Sequence, residues 1–266
     1  MEELVCDEEI EAVYIASPNS CHEWQSEVLL KGGKHVICEK PIATSAEGYR
    51  RLKKLADHLG LIYMEAIIPI FGKRREHIKE ALGMIGNIVM AKIDYYQLSS
   101  RYDAFVRGEH VNIFDMSLAA GTLMDLGIYC VYAAVDMFGK PKTVKATASY
   151  LYNGADGSGS AIFEYESFPA VLSYSKVGQS LAPCEIIGDK GSIIIERIGL
   201  YMGAYLVLNG KKIPLSNDEP KEVLMGYEVS AFADFIEGKS LERYEESSKL
   251  CEEVHRCMEE IKKSLQ

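Results

Sequence analysis

Ala12-Val-Tyr-Ile-Ala-Ser-Pro-Asn-Ser-Cys-His22, followed by His35-Val-Ile-Cys-Glu-Lys-Pro41, reads as two short strands with polar residues gathered where each one ends. A third run, Leu61-Ile-Tyr-Met64, has the same character. All three are rich in apolar and β-branched residues with little alternation, the pattern of parallel strands buried on both faces. Ser20 to Lys31 and Ser45 to His58 carry helical spacing between them, with Ser20 and Ser45 as caps and Gly32 and Gly60 as stops. A right-handed βαβαβ unit follows, half of a doubly wound sheet.

Beyond Pro69 the organisation changes. Arg74 to Leu82 is read as a helix, Ile88 to Leu98 as a strand and Gly121 to Phe138 as a long helix. Strand-like runs follow at 143–152, 160–165, 170–176, 182–187, 192–197 and 201–208, separated by Asn153-Gly154, Asp156-Gly157, Asp189-Lys-Gly191 and Asn209-Gly210. Such spacing predicts an antiparallel sheet with tight turns. Helices at 224–237 and 245–264 close the chain. The expected fold is therefore α/β: a partial Rossmann unit over residues 1–68, then a C-terminal α+β domain with a large, mostly antiparallel sheet over 69–266, joined by a tight hinge near Pro69.

Composition narrows the function. The chain has 266 residues, 48% of them hydrophobic, and 29 Lys and Arg against 39 Asp and Glu give a formal charge of −10. That excess argues against nucleic acid as a partner, because affinity for it comes from cations that neutralise phosphates. The longest stretch free of charged side chains, Ile198 to Gly210, is too short and polar to cross a bilayer. Seven scattered cysteines without a C-x-x-C and an acidic amino terminus fit a reducing, cytoplasmic setting with no membrane partner. Cys251, His255 and Cys257 share a helix but lack further ligands in sequence, so no metal is expected.

Two constellations carry chemistry. In open α/β sheets ligands bind at the carboxyl edge, where Ser17, Pro18, Asn19, His22, Glu39 and Lys40 collect. The second is Gly121-Thr-Leu-Met-Asp-Leu-Gly-Ile-Tyr129. On a helix Asp125 and Tyr129 stack on one face, and Gly121 one turn earlier leaves room for a ligand. A phenol exchanges a proton with a carbonyl or alcohol if a cation lowers its pKa, and Lys40 is the candidate cation. Taken singly, each has a structural alternative: a strand-end salt bridge beside a loop proline, and a helix-start Asp with a core Tyr.

In succession, Val13 to His22, Gly33 to Pro41, Gly121 to Tyr129, Ile186-Ile-Gly-Asp-Lys-Gly-Ser-Ile193 and Tyr227 to Ile236 resemble the Gfo/Idh/MocA family of glucose–fructose oxidoreductase, inositol dehydrogenase and relatives. The resemblance runs through the whole chain. It implies an NAD(P)-dependent oxidoreductase that moves a hydride between nicotinamide and a sugar, polyol or related cyclic alcohol, in a homodimer or higher homo-oligomer formed through the open sheet. Lys40 would contact cofactor and substrate, the following proline bond is often cis in the family, and Asp125 falls on the substrate-orienting acid. Tyr129, where many inositol dehydrogenases have histidine, matches the glucose–fructose oxidoreductase and dihydrodiol dehydrogenase branch and would exchange the proton. Ser17, Pro18, Asn19, His22, Glu39 and Lys40 would bind cofactor.

Two departures stand out. The family's G-x-G-x-x-G turn and the strands around it have no counterpart here, because the chain opens on the helix before the family's fourth strand. Ile67-Ile-Pro-Ile-Phe71 is aliphatic where several relatives have a polar cofactor contact. The alternative reading is a cofactor-free remnant acting as a sugar-like ligand-binding or oligomerising scaffold. The expectation for the purified chain is weak or absent NAD(P)H binding, and a fluorescence titration giving ordinary micromolar affinity would contradict it.

Overall fold

The computed structural model describes residues 1–265. A short helix, α1 (Glu2–Cys6), precedes β1 (Ala12–Ile15), α2 (Asn19–Lys31), β2 (His35–Glu39), α3 (Ala46–Leu59) and β3 (Tyr63–Ala66). The three strands form a parallel sheet in the order β1-β2-β3, with Val13 opposite Val36 and Val36 opposite Tyr63. Alternate residues serve two different cores: Val36, Cys38 and Tyr63 pack with Leu29, Leu30 and Leu52 of the helices, while Ile37, Met64 and Ala66 join the main core on the other side. This double burial explains the apolar runs of β2 and β3; β1 differs from expectation, since it is an edge strand and Tyr14 on it is exposed.

Ser45 caps α3 by accepting from the Gly48 N–H at 3.0 Å, and Gly60 ends it with φ +69°. The other cap differs from expectation. Helix α2 begins at Asn19, with Pro18 in the cap position and no side-chain cap, so Ser20 lies inside the first turn.

The rest of the chain builds on one large sheet. A buried 3₁₀ turn at Ile68–Ile70 leads into α4 (Lys73–Leu82), β4 (Ile88–Tyr96) and α5 (Tyr102–Val106). The chain continues through α6 (Ile128–Phe138), β5 (Thr143–Tyr150), β6 (Asp156–Glu164), β7 (Pro169–Ser175), β8 (Cys184–Gly188), β9 (Gly191–Arg197), β10 (Met202–Leu208), β11 (Lys211–Pro214), α7 (Lys221–Ile236) and α8 (Leu241–Ser264). The eight strands are ordered β11-β10-β9-β8-β4-β7-β6-β5. Asp156-Gly157 opens β6 rather than forming a turn, and exposed β11 carries too little apolar signal to be read from sequence.

All pairs in this sheet are antiparallel except β4 and β7, which run parallel from Ala91 opposite Ala170 to Tyr96 opposite Ser175. The exception matters for function. It brings two carboxyl ends to one rim, so Tyr95, Tyr96 and Lys176 emerge side by side.

Helix α6 lies against β4 and β7, with α8 beside it. Met116–Phe138, 23 residues, is long and apolar enough to cross a membrane by composition, but its most apolar window is 72% buried inside the protein. Burial by the two sheets and α8 accounts for its apolarity. Close approach is possible because Gly127 has no side chain: a Cβ there would lie 3.1 Å from the Tyr174 ring on β7.

Between the sheets sits one polar knot. Glu65 accepts from the Ile42 N–H at 2.7 Å, from the Tyr132 hydroxyl and from Cys251 Sγ at 3.1 Å, and its Oε1 lies 3.3 Å from His255 Nε2. Burial raises its pKa, but His255 and the hydrogen bonds outweigh that and hold it below the usual carboxylate range. Glu65, Cys251 and His255 present ligand atoms within 4.8 Å of one another. Their chemistry is nevertheless that of a satisfied carboxylate: burial keeps the Cys251 thiol protonated, and each carboxylate oxygen already has donors.

Candidate active site

The rims of the two sheets meet at Asp125. The segment Leu123–Gly127 forms a π-helical turn ahead of α6. Such wide turns recur at functional sites because they push one side chain out of helical register. The turn is anchored by Asp156, which accepts from the Leu123 N–H at 2.6 Å. Gly121 precedes it with φ +129°, and a Cβ there would come 2.1 Å from Asp156 Oδ1. Only glycine combines that backbone with that neighbour.

Lys40, at the end of β2, donates to Asp125 Oδ1 at 2.5 Å and to the Asp125 carbonyl at 2.7 Å. Its ammonium also lies 5.0 Å from the centre of the Tyr129 ring. The Lys40–Pro41 peptide bond is cis. The three groups singled out in the sequence therefore stand together, although Lys40 follows β2 and the other two lie at the start of α6.

A fourth group was missed. Lys176, directly after β7, donates to Asp125 Oδ2 with its side chain only 10% exposed. The available signal was an apolar strand ending in a charged residue, the same signal that flagged Glu39-Lys40. Asp125 thus holds one ammonium on each oxygen. Burial raises its pKa, but the charges of Lys40 and Lys176 prevail and bring it down to about 2. Breaking a fully buried ion pair costs about 3–5 kcal/mol. Asp125 is 36% exposed, so its share is smaller.

Tyr129 departs from the expected electrostatics. Burial, Tyr95, Glu39, Asp125 and Glu228 all push its pKa well above that of a free phenol. Lys40 sits over the ring face rather than at the oxygen, so it does not lower the phenol's pKa as the sequence reading had it. The Tyr95 ring stands edge-on to Tyr129 at 5.5 Å. Tyr129 is a neutral phenol at physiological pH.

A cleft of about 330 Å³ opens beside Asp125, lined on one side by Ala16, Ser17, Pro18 and Asn19, on the other by Asn112, Ile113, Leu118, Ala120 and Gly121. Its walls are tied together by Asn19, which donates to the Ala119 carbonyl at 2.9 Å. Ser17 donates to Gln25 at 2.6 Å. His22 lies underneath, 1% exposed, with both ring nitrogens 2.8 Å from carbonyl oxygens, those of Pro41 and Ser17. It braces the two strand-end loops against each other and does not face the cleft. Glu39 accepts from the Tyr14 hydroxyl at 2.7 Å.

A parallel sheet with a cleft at its carboxyl edge and a lysine reaching from that edge to a carboxylate in the turn ahead of α6, which packs on a second, mixed sheet, is the arrangement of a two-unit nucleotide-dependent oxidoreductase. Comparison with known sequences agrees. Residues 1–67 match the model of the oxidoreductase family with an NAD-binding Rossmann fold, and residues 75–194 match the GFO/IDH/MocA C-terminal domain. Over its full length the chain is 36% identical to a scyllo-inositol 2-dehydrogenase (NADP(+)) of Bacillus subtilis, covering 81% of that protein. It is 31% identical to a trans-1,2-dihydrobenzene-1,2-diol dehydrogenase of Mus musculus, over 79% of this chain and 62% of the other. The same fold occurs in KijD10, a 3-ketoreductase of Actinomadura kijaniata, with a TM-score of 0.86 at 18% identity, covering 100% of this chain and 82% of that one. The chain belongs to the Gfo/Idh/MocA family of oxidoreductases.

One further acid lies near this site. Glu228 on α7 is 1% exposed, and its Oε2 has no hydrogen-bond partner. Burial, and then the charge of Glu39, push its pKa up to about 8. The folded protein therefore keeps a proton there that the unfolded chain releases above its ordinary carboxylate pKa, so stability falls as pH rises from about 4.5 to about 8. The upper limit of that loss is about 5 kcal/mol, at ~1.4 kcal/mol per pH unit. Glu228→Gln is expected to flatten the dependence of the urea midpoint on pH in this range and to exceed the wild type at pH 8. Parallel curves for the two proteins would contradict the assignment.

Proposed function

We propose that the protein transfers a hydride between a nicotinamide cofactor and a ring carbon of a cyclic polyol, sugar or related alcohol, with Lys40, Asp125 and Tyr129 around the reacting carbon. The observation that carries this reading is the contact of Lys40, at the end of β2, with both Asp125 and the Tyr129 ring at the start of α6, beside a cleft that Asp125 lines. The substrate class follows from the relatives, which act on an inositol and on a dihydrobenzenediol.

The cleft wall of Ser17, Pro18 and Asn19 fits the flat face of a nicotinamide, since it lies at the carboxyl edge of parallel strands and is braced from below by His22. When bound there, the cofactor supplies or accepts the hydride. The chain's own residues handle the proton and the charge. A phenol with a raised pKa suits the role of acid, so in the reducing direction Tyr129 gives its proton to the carbonyl oxygen as that oxygen gains negative charge. Lys40 stabilises the developing oxyanion. Asp125, kept ionised, accepts a hydrogen bond from a neighbouring hydroxyl and so orients a diol. In the oxidising direction Tyr129 first gives its own proton to water and then, as phenolate, takes the proton of the alcohol, a form its raised pKa makes scarce at neutral pH.

A homodimer is proposed to form through the face of the large sheet that the helices leave open, where Ile162 is 41% exposed. Light scattering at the mass of one chain would contradict this.

In a form carrying a G-x-G-x-x-G segment ahead of Met1, Tyr129→Phe is expected to lower turnover of a ring polyol with NADP+ by roughly 10²- to 10⁴-fold with little change in cofactor affinity. Unchanged turnover would remove Tyr129 from the chemistry.

A further inference from the structure

Lys176 is fixed more firmly than most surface-rim lysines. Its N–H donates to the Gly157 carbonyl at 3.1 Å, and its own carbonyl accepts from the Ser99 N–H at 2.9 Å. The first bond ties it to β6, the second to the segment that leaves β4. The residue is 8% exposed, and its ammonium reaches Asp125 Oδ2. A buried lysine needs a partner because desolvation penalises its charge. That need explains why Lys176 takes a carboxylate, but not why the carboxylate is one that Lys40 already holds.

Charge counting gives a reason. With Lys40 alone, Asp125 and its partner would form a neutral pair, and the ammonium would be spent on the carboxylate. Adding Lys176 leaves the cluster with one positive charge in excess. Each lysine occupies a different oxygen: Lys40 takes Oδ1 and the Asp125 carbonyl, and Lys176 takes Oδ2. The carboxylate is held from both sides and cannot swing toward Tyr129. Tyr95 on β4 and Tyr129 on α6 beside this cluster are kept neutral by burial, as is Glu228 on α7, while Glu39, which accepts from the Tyr14 hydroxyl, also bears on Tyr129; the excess is therefore that of Lys40, Asp125 and Lys176 taken alone.

We propose that Lys176 is a positioning residue for the reaction: by occupying Oδ2 of Asp125 it fixes that carboxylate and leaves the ammonium of Lys40 as the uncompensated cation facing the reacting oxygen. This rests on the reading of Lys40, Asp125 and Tyr129 as the reacting group. Lys176 acts through Asp125, which alone of Lys40, Asp125, Tyr129 and Lys176 lines the cleft.

The test uses the full chain and two readouts, one of which needs neither cofactor nor substrate. The ¹³C resonance of the Asp125 carboxyl is followed by NMR from pH 5 downward in the wild type, Lys176→Met and Lys176→Arg, each first checked for a folded state by thermal melting. In Lys176→Met the midpoint should rise by roughly one pH unit or more, because one of two neighbouring cations is lost. Lys176→Arg should restore the wild-type position. In steady-state assays with NADP+ and a ring polyol, run in the form carrying a G-x-G-x-x-G segment ahead of Met1, Lys176→Met should lower kcat roughly 10- to 100-fold with KM little changed, with substantial recovery in Lys176→Arg.

An unmoved carboxyl midpoint in Lys176→Met overturns the proposal. So does a moved midpoint with unchanged kcat, since Lys176 would then hold Asp125 without serving the reaction. Failure of the underlying reading looks different: Tyr129→Phe and Asp125→Asn would keep full turnover, whatever Lys176→Met does to the carboxyl. If Lys176→Met does not fold, Lys176→Arg and Lys176→Gln carry the same comparison, and a Gln variant with wild-type midpoint and kcat overturns the proposal equally.

Discussion

The contact between Lys40 and Asp125 is the constraint on which the arrangement depends. Lys40 leaves the small sheet and Asp125 lies in the turn ahead of α6, and the largely buried ammonium of Lys40 needs such a partner because an unpaired charge in the interior loses most of its hydration. Pairing them therefore fixes how the carboxyl edge of the small parallel sheet faces the amino end of α6. The main core reinforces this fixing, because Ile37, Met64 and Ala66 of the small sheet pack in the same cluster as Leu126, Val131 and Tyr132. Apolar burial supplies the adhesion, and the ion pair supplies the register.

The reacting groups are also set apart electrostatically. Asp125 is surrounded by cations and stays ionised, whereas Tyr129 is surrounded by acids and apolar surface and stays neutral. Groups whose environments drive their pKa values in opposite directions are how one site offers a fixed charge and a transferable proton side by side. Lys40 touches both without titrating either toward the other. The buried proton on Glu228 belongs to the same field, since it keeps a second negative charge from adding to Glu39 near the phenol.

Much of this was legible in sequence, for identifiable reasons. The strand at His35 stood out because both its faces are buried, the one at Ala12 by its apolar run although Tyr14 is exposed, and Lys40 because a charged pair leaving an apolar strand is costly unless used. Asp125 and Tyr129 were found from their spacing, although the π-helical turn between Leu123 and Gly127 has no pattern of its own. What stayed hidden depends on long-range pairing. The parallel match of β4 with β7, which brings Lys176 to Asp125, joins strands separated by α6 and two further strands. The direction of the Tyr129 shift was misjudged because a residue's charge can be read from sequence, whereas its placement over a ring face rather than at the hydroxyl cannot.

The central claim is that Lys40 and Asp125 act as one unit on the reacting carbon. A double-mutant cycle on kcat/KM, with Lys40→Met, Asp125→Asn and the combined variant assayed with NADP+ and a ring polyol in the form carrying a G-x-G-x-x-G segment, tests it most directly. The account predicts that the combined variant is about as impaired as the worse single variant, because either change dismantles the same assembly. Losses that multiply, as for two independent groups, would contradict it.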